Sequence, residues 1–193
     1  MAKKQVKSIV KESKAEKKVQ SKTKKPAKKA ASLPKHESVS QDGLHTAFHH
    51  LQRAAVVISL MEKGTGEDLR DLLERGAKLY NKAAEHGDKA ALQRAIGLLR
   101  AAEHLALAGL YAARHKHRQK AVEPAAEWLT LKIAATGERL KRVEKTERGK
   151  GTDLFPATEE MLHQAADVED DPHMAYELAM AAEALCFALE NGL

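Results

Sequence analysis

From Leu44 onward the apolar residues recur at intervals of three and four, the period of a helix buried along one side. Leu44, Phe48, Leu51, Ala55 and Ile58, with Met61 beside them, define a first helix over about Leu44–Lys63. Asp42 is its expected N-cap, and Gly64-Thr65-Gly66 ends it. Thr65 and Asp68 form an approximate capping box for a second helix, about Glu67–His86. Leu69, Leu72, Leu73, Gly76, Leu79, Tyr80 and Ala83 share its apolar side; Arg70, Asp71, Glu74, Lys78 and Glu85 share the other. Gly76, inside the stripe, predicts a neighbour at close range. Gly87 stops this helix and Asp88 caps the next.

The third helix spans about Lys89–Arg118. Leu92, Ile96, Leu99, Ala106 and Leu110 form one edge of its apolar arc, which Ala95, Leu98, Ala102, Leu105 and Gly109 continue. So wide an arc predicts a central helix, and His115-Lys116-His117-Arg118 puts cations at the negative end of its dipole. Pro124 suits the first turn of a fourth helix reaching about Glu147, with Trp128, Leu129, Ile133, Leu140 and Val143 as its apolar groups. Residues 148–156 read as a loop. A short fifth helix covers about Ala157–Val168. Asp171-Pro172 then caps a sixth, about His173–Asn191, stopped by Gly192.

The sixth helix is apolar almost all round. Ala175, Leu178, Ala182, Leu185 and Leu189 make one stripe, while Tyr176, Met180 and Phe187 project elsewhere. A chain-terminal helix with two apolar sides predicts a homodimer built through that helix. Alanine supplies 29 of residues 43–193, and no alternation of strand type persists. The fold class is therefore all-α: a bundle of five to six mostly antiparallel helices over 43–193. The alternative is a helical repeat array. Ala106, Gly109-Leu110-Tyr111 and Lys120-Ala121-Val122-Glu123-Pro124 resemble pieces of a tetratricopeptide repeat, but the period of about 34 residues does not recur.

Before residue 43 the periodicity vanishes and charge takes over. Residues 1–42 hold 13 Lys against Glu12, Glu16, Glu37 and Asp42, a charge of +9; the whole chain is +6, which leaves −3 for residues 43–193. Too little apolar surface is present to offset chain entropy, so a disordered basic tail is expected over 1–42. Val6, Ile9, Val10 and Val19, with Glu12 and Glu16, suit at most a transient helix. Lys24-Lys25-Pro26-Ala27-Lys28-Lys29-Ala30-Ala31 resembles the lysine-alanine-proline tails of linker histones and of some bacterial nucleoid proteins.

The chemistry of such a tail is counterion release from a polyanion. Its candidate contacts are Lys3, Lys4, Lys7, Lys11, Lys14, Lys17, Lys18, Lys22, Lys24, Lys25, Lys28 and Lys29. No Arg precedes Arg53 to fork onto a guanine, and no aromatic precedes Phe48 to stack on a base. Binding is thus expected to be nonspecific and salt-sensitive. A purely solubilising tail is the plain alternative.

Cys186 is the one cysteine, which excludes an intrachain disulfide and a thiolate metal cluster. Lysines interrupt Val6, Ile9 and Val10, so no secretory signal is expected, and no apolar run of about 18 residues suggests a membrane span. The expected compartment is the cytoplasm, on the nucleoid, or the nucleus of a eukaryote.

Candidate chemistry in the body is sparse. His45 and His49 stand at i, i+4 with His50 adjacent, a spacing at which two rings can reach one metal. A partly exposed boundary pair is the commoner meaning of that spacing. Glu160 and His163 have the i, i+3 spacing of di-iron bundles, but only one copy occurs. Glu103 projects into the apolar arc, where a carboxylate needs a cation or a proton; a structural pair with a neighbouring Arg or Lys competes with a role as ligand or general acid. Arg100-Ala-Ala-Glu103-His104 resembles the Arg…His motif of the HEPN family of small helical ribonucleases, with a spacer shorter than the family's. The basic end of the fourth helix, Arg139, Lys141, Arg142, Lys145, Arg148 and Lys150, is a secondary anion patch interleaved with Glu138, Glu144 and Glu147. No phosphate-cradling Gly loop or nucleophile elbow is present. The expected function is a noncatalytic helical interaction module whose tail binds nucleic acid or another polyanion, without catalytic residue, metal or cofactor. The alternative is a small helical enzyme or metal-binding bundle.

Overall fold

A computed structural model describes residues 39–61, 67–114, 124–146, 152–168 and 170–192. These form six α-helices and no strand: α1 (Gln41–Ser59), α2 (Glu67–His86), α3 (Lys89–Arg114), α4 (Ala126–Glu144), α5 (Leu154–Asp167) and α6 (Pro172–Glu190). No helix among the described residues is long and apolar enough to cross a membrane. The tail through residue 38, Gly64-Thr65-Gly66, residues 115–118 and Arg148 and Lys150 lie outside the described residues.

Local chemistry sets the helix ends. Gly87 turns the chain with φ +66, and Asp88 Oδ1 accepts from Ala91 N–H at 3.0 Å to start α3. Asp171 caps α6 in the same way, accepting from Met174 N–H at 2.9 Å with Pro172 beside it. Three starts differ from the sequence expectation. Ser40, rather than Asp42, caps α1 by accepting from Gly43 N–H at 3.1 Å, and Asp42 falls in the first turn, where the helix dipole favours it. Ala125 is extended, so α4 begins just beyond Pro124. Helix α5 begins at Leu154 rather than about Ala157, because Pro156 fits a first turn whose N–H groups have no intrahelical partner.

The helices pack as two groups of three, α1–α2–α3 and α4–α5–α6, joined chiefly where α3 crosses α6. Arg94, Arg100 and His104 of α3 reach residues 192, 183 and 177, so these two helices run in opposite directions. Gly97 lets them meet: a Cβ there would stand 2.7 Å from Ala188 Cβ and 2.9 Å from the Ala184 carbonyl oxygen. Gly76 brings α2 onto Leu98 and Leu99 in the expected close approach. The two central helices share a pattern, Ala-x2-Leu-x2-Ala-Ala-Glu-x-Leu-x2-Ala, at residues 95–108 and 175–188. A shift of 80 residues between these segments maps the pair Gly97–Ala184 onto Glu177–His104. Both crossings are contacts, as an approximate two-fold axis requires.

Leu98, Leu185 and Leu189 are fully buried in the cluster that α3 and α6 share, and Leu92 and Leu99 are fully buried where α3 meets α1 and α2. Their burial is the dominant favourable term, at about 25 cal/mol per Å² of apolar surface. Two expectations change. The buried stripe of α1 is Ala47, Ala54 and Ile58, with Phe48 39% exposed and Ala55 exposed. The helix is turned by about one position, which brings His50 inward. Helix α6 is central despite its place at the chain end. Met180 is 8% exposed, Tyr176 stacks on Trp128, and Phe187 is half-buried. The apolar face that suggested a homodimer is thus largely covered within the chain.

Candidate functional site

Ionisable side chains form a seam along both sides of α3 and α6. On the α1 side, Glu103 is 3% exposed. Its Oε2 lies 2.7 Å from His50 Nδ1, and its Oε1 lies 2.9 Å from Arg53 Nε. Both partners come from α1, one turn apart, so three residues tie α1 to the core. Burial is the strongest single influence on the Glu103 carboxyl and raises its pKa. The His50 hydrogen bond, with the charges of Arg53, His50 and His104, more than offsets it, and the net shift is downward. Glu103 is therefore a carboxylate with both oxygens engaged, the reverse of the raised acid that a proton donor at neutral pH needs.

The next residue turns toward α6. His104 Nδ1 lies 2.5 Å from Glu177 Oε2 of α6. One turn earlier, Arg100 approaches Glu183 at 3.6 Å, and Lys132 of α4 donates to the same carboxylate at 2.5 Å. Arg139 of α4 grips Glu190 through Nε and a terminal nitrogen. Since Trp128 meets Tyr176, Lys132 meets Glu183 and Arg139 meets Glu190, α4 and α6 run parallel. Lys132 also stands 5.8 Å over the Trp128 ring, and Tyr111 stacks on His173 at 5.3 Å. Arg100 and His104, the pair with the HEPN resemblance, both point at α6 carboxylates.

The other candidates separate. Glu160 and His163 are exposed on α5, with Glu160 Oε1 accepting from Gln164 at 2.9 Å. Among the described residues no group of three or more His, Cys, Asp or Glu is set to hold a metal. His45 and His49 lie together on the outer side of α1, Nε2 to Nε2 at 3.2 Å. Arg139 and Lys141 of the basic patch are engaged by Glu190 and Glu138. The twelve tail lysines, Lys3 to Lys29, lie outside the described residues. Cys186 is buried beside the Thr136 carbonyl, and burial pushes its thiol up to about 12, so it is not a nucleophile.

A hollow of about 590 Å³ between α4 and α5 is lined by Leu129, Ile133, Ala165, Val168 and Pro172. Its one hydroxyl, on Thr130, already donates to the Ala126 carbonyl. A small-molecule site needs convergent polar groups, which this wall lacks. The chain matches no family model, no curated protein and no solved structure.

The pairing roles of His50, Glu177 and Glu183 are not among the expectations from sequence. A signal existed for His50, which stands three residues after Ala47 and four before Ala54, on the buried stripe. For Glu183 the signal was the Ala-Ala-Glu shared with Glu103.

Proposed function

We propose that the protein is a noncatalytic helical module whose lysine-rich N-terminal arm binds nucleic acid or another extended polyanion without sequence preference. The observation that carries this is charge segregation: +9 over residues 1–42 against −3 over the remainder. The use of charge inside the body supports it. Arg53, Arg75, Lys132 and Arg139 are each held by a carboxylate of another helix or helix cap, so these cations serve packing. Lysines so dense in the arm displace condensed counterions from phosphate chains.

Deletion of residues 1–38 is the test, because it spares the Ser40 cap of α1. Binding to duplex DNA is expected to disappear while helicity and melting temperature stay unchanged. Duplex binding retained by the truncated protein would overturn the proposal.

A further inference from the structure

We infer that His45 and His49 form a two-histidine site for a divalent transition-metal ion, with zinc, nickel and copper(II) as the fitting class. The residues stand one turn apart on α1, and both are exposed. Their Nε2 atoms are 3.2 Å apart, with ring centroids at 4.3 Å and planes at 85°. Zinc–imidazole bonds of about 2.0–2.1 Å at a tetrahedral angle place two ligand nitrogens roughly 3.3 Å apart. The two rings now share a hydrogen bond, and an ion would replace that bond, both rings turning to aim their lone pairs at it from nearly the separation they already have.

The surroundings favour this use of the pair. His50 is turned away to Glu103, and Thr46 is turned to the Asp42 carbonyl at 2.8 Å, so neither competes for the rings. His45 also lines a hollow of about 420 Å³ with Gln41, Asp42, Leu44, Phe48 and Tyr80. The hollow leaves open space on the His45 side of the pair. Neutral imidazole ligands select zinc, nickel and copper over magnesium or calcium. Two protein donors leave coordination positions open to water or to a donor from another molecule.

Zinc chloride titrated into the full chain by calorimetry, beside His45→Ala, His49→Ala and the double variant, tests the inference. Full-chain titration is needed because His36, His115 and His117 are also present. One zinc equivalent should be lost in the double variant, and each single variant should weaken that equivalent by roughly tenfold or more. Zinc should also raise the melting temperature of the native chain and not that of the double variant. Circular dichroism checks that the variants fold. An unchanged stoichiometry in the double variant would overturn the site. So would the absence of zinc uptake by the native chain at about 100 μM, a concentration that detects even weak chelation.

Discussion

Glu103 and Glu183 occupy matching positions in the two three-helix groups, yet they are held differently. Glu103 is all but sealed, with a histidine and an arginine that both come from α1. Glu183 is about a quarter exposed and bridges Lys132 of α4 to Arg100 of α3. One carboxylate anchors an outer helix to its own group; the other also fastens the two groups across their central crossing. The contrast teaches that a shared Ala-Ala-Glu pattern fixes where a carboxylate stands, while the facing helix decides its partners and its solvent. Exposure then decides energy, since a pair in water contributes little and a sealed one is costly to break.

The largest expected effect comes from removing these carboxylates separately. Glu103→Ala should cost about 2–4 kcal/mol, toward the lower part of the range for a broken buried pair because Arg53 can rehydrate. Glu183→Ala should cost about 1–2 kcal/mol, since its partners reach solvent. Urea melts of the two variants measure the difference, and equal losses would erase the distinction drawn between the sites.

Next is the crossing itself. Gly97→Ala presses on backbone atoms of α6 and should destabilise by about 1–3 kcal/mol. Gly76→Ala meets Leu99 Cδ2 and Cγ and Leu98 Cβ, side-chain atoms rather than backbone, so its loss should be smaller. Thermal melts of both variants test whether the α3–α6 contact is the tighter of the two.

A smaller effect concerns acid. The Glu103 pKa is lowered on folding, so its contribution is complete above the ordinary value of 4.5 and is lost as pH falls through the lower folded value. Stability of Glu103→Gln should therefore fall less than that of the native chain below about pH 4.5. Denaturant midpoints at neutral pH and across the acid range measure it; parallel curves would mean that Glu103 has no such linkage.

Much of the fold was legible because helical period and capping are local. Helix α2 runs from Glu67 to His86 as its stripe and flanking glycines predicted, and Glu103 is buried against a cation as its place in the arc required. The phase of α1 was harder to read. Phe48 and Leu44 dominate any apolar projection, whereas the residues that reach the core include the small Ala47 and Ala54. Small side chains sit where helices approach closely, which hydrophobicity alone does not reveal. The central place of α6 depends on α3 and α4, which lie far back in the sequence, as well as on the adjacent α5, and the partners of Glu103 lie some fifty residues away. The candidate polyanion contacts, by contrast, rest on composition alone, since the arm lies outside the described residues.

The most direct measurement is the salt dependence of duplex-DNA binding by the full chain and two charge variants. With roughly 6–10 phosphate contacts, the native log–log slope should be about −5 to −9. Replacing Lys22, Lys24, Lys25, Lys28 and Lys29 with Gln should make that slope shallower by about 4–5, whereas Lys132→Gln with Arg139→Gln should leave it unchanged. A slope that survives loss of the arm lysines, or that falls with the body variant, would contradict an arm that binds polyanions beside a body whose cations serve its packing.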